Sequence, residues 1–268
     1  MNKFYIIPTP IGNLEDITLR TINTLKKLDY LYCEDTRITK KLLNHLEINI
    51  KLKVYNDFSD ENKIEEIREH LNKGLNVGLV SDAGMPIISD PGYKLVKNLR
   101  ENNYDIEVLP GACAFVTAIV GSGCRSNKFQ FLGFLSKNNS KKKQEIENIL
   151  NYDGISIIYE TPHKLIKTLT CFFNKYIKIY IARELTKVYE EYVSGSPEEL
   201  VKYYELNPLK GEFVVIFEPK IKEIIYDENK IKEEYNKLIK EQTKKEVIKY
   251  LAKKYNVNKN KIYNLFIE

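Results

Sequence analysis

Residues 80–93 read VSDAGMPIISDPGY, a run of small and acidic residues with two prolines and two glycines, directly after an apolar stretch. Glycine and proline at this density mark a turn between elements. In open α/β sheets, ligands bind at turns where a buried strand ends and a helix begins. We expect Asp90 to cap that helix and Pro91 to occupy its first turn. The stretch predicts a ligand site and indicates an enzyme.

The segments on either side of this turn alternate between strand and helix patterns. In the first 110 residues we predict strands at 4–7, 30–33, 52–55, 77–80 and 106–109, and helices at 18–28, 36–46 and 61–72. Strands separated by helices of this length are typical of a largely parallel sheet packed against helices. The fold class is therefore α/β.

The alternation of strands and helices becomes less regular from about residue 129. We predict strands at 129–134, 155–159, 177–182, 189–193 and 212–217, with helix starts at Thr161-Pro162 and at the capping box of residues 196–199. This pattern indicates a second α/β domain with more antiparallel pairing. The predicted domains are residues 1–121 with a parallel sheet, 122–220 with a mixed sheet, and a Lys-rich helical segment at 221–268.

The helical segment has its own internal signals. A periodic stretch covers residues 228–241, a capping box at 243–246 opens a helix through Lys254, and residues 256–258 give a short turn before a last helix from Lys259. Two short helices joined by a tight turn suit a helix-turn-helix. Such a segment either touches RNA or docks on the main body.

Composition narrows the class of protein. The chain has 268 residues, of which 43% are hydrophobic and 29% charged, as in ordinary globular proteins. Its longest strongly apolar stretch, residues 112–120, is too short to span a membrane, and no secretory signal precedes Pro8, so we expect a cytoplasmic protein without a membrane partner. The four cysteines and three histidines lack metal-ligand spacing, and no metal is expected. The net charge of +5 permits a nucleic-acid partner without requiring one.

Three further turns follow predicted strands. In residues 8–18 a single glycine and two prolines disfavour a dinucleotide or ATP site, because proline removes the amides that cradle a diphosphate. With residues 81–93 this turn could hold an uncharged nucleoside.

Residues 34–37, EDTR, have two interpretations: Asp35 caps a helix and pairs with Arg37, or Arg37 contacts a phosphate while the acids orient a hydroxyl. The small residues at 110–114 would let a flat ring or ribose approach the backbone.

The sequences of these turns resemble those of a known protein family. Together with residues 159–163 (YETPH), 182–187 (ARELTK) and Gly211-Glu212, they resemble, in order, the bacterial small-subunit ribosomal RNA ribose 2′-O-methyltransferase I family of the tetrapyrrole methylase superfamily. The resemblance covers essentially the whole chain. It implies two α/β domains with a cleft between them, S-adenosylmethionine as methyl donor, and the 2′-hydroxyl of cytidine 1402 in 16S rRNA, at the decoding centre, as acceptor. Superfamily members are typically homodimers, and a 2′-hydroxyl acceptor excludes DNA.

The resemblance also implies which residues contact the cofactor. On the N-terminal side of the cleft they are Ile11, Asp82, Ala83, Met85, Cys113 and Ala114, and on the other side Tyr159, Glu160, Leu185 and Glu212. The chain departs from the family at two places. Met85 stands where the family usually has Thr, and Ala112-Cys113 where it usually has Pro-Ser, so hydroxyl contacts to the cofactor at these two positions are in doubt.

Methyl transfer from a sulfonium is a direct displacement, so it needs alignment, a base for the ribose proton and a cation for the developing oxyanion. Our first candidates are Glu184 with Arg183 and Lys187, and our second are Glu34 and Asp35. Arg183-Glu184 could equally be a structural ion pair at a strand end. For substrate binding we name Arg37, Lys244 and Lys245.

Two other functions compete with this one. The first is methylation of a tetrapyrrole carbon, which the charged motifs at 34–37 and 183–187 and the basic tail disfavour. The second is a non-catalytic RNA-binding or assembly protein that uses the Lys-rich tail.

Overall fold

The computed structural model describes residues 3–56, 61–219, 227–240, 242–255 and 259–266. They divide into two compact units, residues 1–219 and 220–268. The first unit contains two five-stranded sheets. The predicted three-domain division, with boundaries at 121 and 220, stays a prediction.

The first sheet is entirely parallel, as the sequence predicts. Its strands are β1 (Phe4–Ile6), β2 (Tyr30–Cys33), β3 (Lys51–Val54), β4 (Val77–Leu79) and β5 (Ile106–Val108), in the order β3-β2-β4-β1-β5. Helices α1 (Leu19–Leu25), α2 (Thr36–His45), α3 (Glu61–Asn72) and α4 (Tyr93–Glu101) connect them, with a short 3₁₀ turn at Leu14–Asp16. All five strands end at one edge, so the turns after β1, β2, β4 and β5 meet there.

The second sheet is mixed. It has the order β6-β7-β10-β8-β9, and only β6 and β7 pair in parallel. The strands are β6 (Phe129–Phe131), β7 (Ile155–Glu160), β8 (Ile177–Arg183), β9 (Glu191–Gly195) and β10 (Phe213–Pro219). Helices α6 (Asn139–Asn151), α7 (Pro162–Thr170) and α8 (Pro197–Leu206) accompany them.

Helix α5 (Ala114–Ser122) follows the first sheet in sequence but packs on the second. Its buried residues Ala118 and Ile119 share a core cluster with Ile157 of β7 and Ile216 of β10. The helix therefore ties the last turn of the first sheet to the second sheet. This packing could not be read from the sequence, because the apolar stretch at 112–120 has no polar face.

Several predicted boundaries are wrong, each for a local reason. Helix α4 begins at Tyr93 after Gly92, whose φ is 129°, so Asp90 and Pro91 lie before the helix and neither starts it. Strand β6 ends at Phe131 because Gly133 adopts a φ of 65°. The strand predicted at 189–193 runs from Glu191 to Gly195.

The second unit contains α9 (Glu228–Leu238), α10 (Lys244–Lys254) and α11 (Lys259–Asn264). Ile231, Val247, Leu251 and Ile262 form its buried core. The capping boxes at Ser196 and Thr243 are confirmed. Each side chain accepts a hydrogen bond from the backbone amide of a Glu three residues on, and the carboxylate of that Glu accepts one from the backbone amide of the capping residue. The predicted turn at 256–258 lies outside the described residues.

Candidate functional site

The turn after β4 is held in place by the turn after β1. Thr9 and Gly84 exchange two backbone hydrogen bonds of 2.9 and 3.0 Å, and the buried Ser81 hydroxyl donates to the Gly84 carbonyl oxygen at 3.2 Å. Further along, Ile87 and Ser89 have φ angles of 75° and 67°. A β-branched residue at positive φ is a strained outlier, of the kind that clusters at functional sites. Residues 81–93 thus form a fixed and strained turn.

This turn borders a cavity of about 390 Å³, a size suited to a small organic ligand. Residues from both sheets line it. They are Ile11, Glu34, Asp82, Ala83, Gly84, Met85, Ile88, Ser89, Asp90, Cys113, Ala114, Phe134, Tyr159, Glu160, Thr161, Pro162, Leu185, Gly211, Glu212, Phe213 and Val214. All ten residues named as cofactor contacts are among them, together with Glu34 from the second pair of catalytic candidates.

The cavity is acidic. Its described lining contains five carboxylates, those of Glu34, Asp82, Asp90, Glu160 and Glu212, and no lysine, arginine or histidine. Such a lining favours a cationic ligand, because charges interact strongly where the walls exclude water.

Asp82 and Glu160 each accept hydrogen bonds from neighbouring segments. Asp82 accepts the Asp35 amide at 3.1 Å, and its pKa lies above the ordinary value because burial outweighs that hydrogen bond. Glu160 is buried and accepts the Thr161 amide at 2.8 Å and the Thr168 hydroxyl at 2.7 Å. Asp82 thus connects the turn after β4 with the turn after β2, while Glu160 fixes the start of α7.

The cavity lining includes the aromatic side chains of Tyr159 and Phe134, which contact further rings outside the lining. The Phe131 ring lies 4.9 Å from that of Tyr159, centroid to centroid, and the Phe134 ring lies 5.8 Å from it. Phe115 of α5 stacks on Phe131 at 4.6 Å. Burial raises the pKa of Tyr159, so its phenol stays neutral. Aromatic side chains beside acidic ones can hold a flat ring and a positive charge in the same molecule.

Lys187 is held between two carboxylates beside the cavity. Its Nζ lies 2.9 Å from Glu184 Oε1 and 2.8 Å from Glu212 Oε2. Glu184 Oε1 also accepts the Glu212 amide at 3.1 Å. Burial alone would raise the pKa of Glu184, but these hydrogen bonds outweigh it and the pKa is lowered. Of the three residues, only Glu212 lines the cavity.

The turn after β1 contacts the segment that contains Lys187. The Asn13 amide donates to the Thr186 hydroxyl at 3.1 Å, and a Cβ on Gly12 would come within 2.5 Å of Lys187 Cγ. Glu184 and Thr186 have φ angles of 50° and 63°. Only glycine at position 12 allows this approach, so residues 12–13 and 184–187 fix each other.

The remaining catalytic and substrate candidates lie elsewhere. Arg183 does not line the cavity: its Nη1 lies 3.1 Å from the Pro208 carbonyl oxygen and 3.5 Å from Glu191 Oε2. The expected ion pair between Arg183 and Glu184 is wrong, because Glu184 pairs with Lys187 instead. Asp35 caps α2 and pairs with Arg37, which lowers the pKa of Asp35 to about 2. The first interpretation of residues 34–37 is therefore confirmed, because Asp35 caps the helix and pairs with Arg37. A role of this segment toward a phosphate or a substrate hydroxyl stays a prediction, and Glu34 lines the cavity.

The two tail lysines belong to the second unit. Lys244 donates to the Phe266 carbonyl oxygen at 3.2 Å and lies over the Tyr263 ring, 5.2 Å from its centroid. Lys245 is exposed at the start of α10.

Several cavity residues were not named from the sequence. Ser89 and Asp90 belong to the turn after β4, where the sequence predicts a helix start at Asp90. Phe134 falls in a predicted strand, but β6 ends at Phe131, and Gly133 with its positive φ is the sequence signal for that end. Across the described ranges, no group of three or more His, Cys, Asp or Glu side chains is arranged to hold a metal ion, and no helix there is long and apolar enough to cross a membrane.

The sequence matches those of known proteins. The sequence profile of the tetrapyrrole (corrin/porphyrin) methylases matches residues 3–201. The chain is 47% identical to the ribosomal RNA small subunit methyltransferase I of Rickettsia prowazekii over 79% of its length and 76% of the relative's. It is 39% identical to the protein of that name from Bacillus subtilis, over 99% and 94%.

The likeness to a solved structure concerns the fold alone. The crystal structure of a cobalt-precorrin-4 methyltransferase from cobalamin biosynthesis superposes with a TM-score of 0.60 at 14% identity, over 80% of this chain and 94% of that one. The family profile and the two relatives, at 47% and 39% identity, show that the chain belongs to the ribosomal RNA small subunit methyltransferase I family, within the tetrapyrrole methylases.

Proposed function

We propose that the protein transfers a methyl group from S-adenosylmethionine to the ribose 2′-hydroxyl of cytidine 1402 in 16S rRNA. The observation that carries this proposal is the acidic cavity, in which all ten expected cofactor contacts lie together. Relatives named for small-subunit rRNA methylation support the substrate. Because that substrate is the small ribosomal subunit, the proposed location is the cytoplasm.

The residues present suit this cofactor. When bound, S-adenosylmethionine supplies an electrophilic methyl group on a positively charged sulfur. The carboxylates favour the sulfonium, and Tyr159 and Phe134 offer surfaces for the adenine ring. Met85 and Cys113 line the cavity where the family usually has hydroxyl side chains. They can contact the cofactor by packing, with at most the weak hydrogen bonds of sulfur.

Positioning and acid–base chemistry fall to different residues. Glu34 is exposed in the cavity and is the proposed base for the ribose proton. Lys187 is the proposed cation beside the developing alkoxide, held by Glu184 and Glu212. Glu184, our first candidate for the base, is a positioning residue in this proposal, because Lys187 and the Glu212 amide occupy its Oε1. Arg183 has no proposed catalytic role.

The test is methyl transfer to small ribosomal subunits that lack the modification, with tritium-labelled S-adenosylmethionine. We expect label in 16S rRNA at one nucleotide, whose 3′ linkage then resists alkaline hydrolysis because the 2′-hydroxyl is blocked. Label in a tetrapyrrole and none in RNA would support the competing methylase. RNA binding without any labelling would support a non-catalytic assembly protein.

We also propose that the protein is a homodimer. Helix α5 packs one side on the second sheet and exposes Val116 and Val120 on the other, with Val120 78% exposed. Light scattering should give twice the mass of one chain, and Val120→Glu should lower it to that of a monomer. Lys97→Glu on the exposed surface of α4 is the control. A monomeric mass for the unmodified protein would contradict the proposal.

A further inference from the structure

A second cavity, of about 550 Å³, lies along α2 in the first unit. Its lining combines apolar residues with basic, amide and hydroxyl side chains. These are Thr36, Arg37, Lys40, Leu43, Asn44, Ile48, Asn49, Ile50 and Leu52. We call this surface the α2 groove.

The charge of the α2 groove is opposite to that of the first cavity. Its described lining holds two cations, Arg37 and Lys40, and no carboxylate. Arg37, Lys40 and Asn44 are spaced i, i+3 and i+7, which places them along one face of α2. Charge complementarity therefore favours an anion, and the apolar residues beneath favour one that also carries an uncharged ring.

Arg37 can bind a second acceptor besides Asp35. Asp35 accepts from its Nε at 3.0 Å and from its Nη2 at 2.6 Å, which fixes the guanidinium at the helix start. The guanidinium has five N–H donors, and this pairing leaves some of them for another acceptor. The Arg37 side chain is 86% exposed. A phosphate can therefore bind it without breaking the contact to Asp35.

The two cavities adjoin along the chain. Glu34 lines the first and Thr36 lines the α2 groove, so their Cα atoms lie at most about 7.6 Å apart, two trans peptide spans. The start of the groove is therefore close enough to the first cavity for one polymer to contact both.

We propose that the α2 groove binds a nucleotide flanking the methylated one, with Arg37 and Lys40 on its phosphate and the apolar residues beneath its base or ribose. Single-stranded RNA is recognised in this way, by cations along the backbone and by surfaces that contact the ring faces. The amide side chains of Asn44 and Asn49 can hydrogen-bond a base edge. The inference rests on the proposed function and adds the path of the substrate strand.

The test compares two lysines of one helix. Lys40 lines the groove, whereas Lys41 is also exposed and does not line it. We would measure binding of a fluorescein-labelled, unstructured decaribonucleotide to the full chain at several salt concentrations. Lys40→Gln should weaken binding about 3- to 10-fold near 0.15 M salt and reduce the log–log salt slope by about 0.7, the value for one lost phosphate contact on a single strand. Lys41→Gln should change neither.

A methyl-transfer assay distinguishes a wrong assignment of the groove from a wrong proposed function. With small ribosomal subunits, Lys40→Gln should raise KM and leave kcat and the dissociation constant for S-adenosylmethionine unchanged; unchanged cofactor binding also shows that the variant is folded. Equal effects of the two substitutions, or none, would overturn the groove as an RNA site while methylation by the unmodified protein still stands. A Lys40-dependent affinity for RNA without methyl transfer would support the groove and overturn the proposed function.

Discussion

Replacing Glu34 with glutamine should slow methyl transfer about 10²- to 10⁴-fold, the usual contribution of a general base, and leave cofactor affinity within about 3-fold. Glu34 follows β2 and lines the cavity next to the α2 groove, so its carboxylate adjoins the path proposed for the RNA strand. The measurement is the single-turnover rate at saturating S-adenosylmethionine. At saturating S-adenosylmethionine, the substitution should also remove the acidic limb that Glu34 contributes to the pH–rate profile, because that side chain no longer has to ionise.

Glu184→Gln is the matched control for this prediction. The amide oxygen still accepts the Glu212 backbone amide, and only the ion pair with Lys187 is lost. A partly exposed ion pair contributes up to about 1 kcal/mol, so we expect less than about a tenfold loss in rate and an unchanged acidic limb. If Glu184→Gln gives the larger loss and abolishes that limb while Glu34→Gln does not, the base is Glu184.

Asp82→Ala should weaken binding of S-adenosylmethionine about 10- to 100-fold, since a hydrogen bond to a charged group contributes about 1.5–3 kcal/mol. Asp82 lines the cavity and also holds the Asp35 amide. Asp82→Asn keeps an oxygen for that amide but loses the charge, and we expect a smaller, roughly 3- to 10-fold, loss. Isothermal titration calorimetry measures both variants.

The control for Asp82 is Asp105→Ala. Asp105 precedes β5, at the opposite edge of the same sheet, and its Oδ2 lies 3.8 Å from Lys3 Nζ. Cofactor affinity should not change in this variant, and an Asp82→Ala affinity within 2-fold of the unmodified protein would contradict the assignment. The cofactor should bind at full affinity only at pH values above the pKa of Asp82, where its carboxylate is ionised. Because burial raises that pKa, the affinity for S-adenosylmethionine should begin to fall at a higher pH than expected for an ordinary aspartate, whose pKa is about 3.9.

The sequence by itself determined the architecture and one wall of the site. Alternation of strand and helix patterns predicts a parallel sheet, whose strands all end at one edge, so turns far apart in sequence, such as 8–18 and 81–93, must come together. Capping signals act within four residues, which is why the helix starts at Pro197 and Lys244 were predicted correctly.

Only the tertiary structure decided which charged side chains act together. Neighbours in sequence separate, since Arg183 faces Glu191 while Glu184 pairs with Lys187. The partner of Lys187 on the cavity side is Glu212, brought there by the antiparallel pairing of β8 with β10. Helix α5 packs on the second sheet, and Glu34 rather than Asp35 reaches the cavity. Each outcome depends on strand register and on contacts between distant segments, whereas a local pattern reports only the conformation of its own few residues.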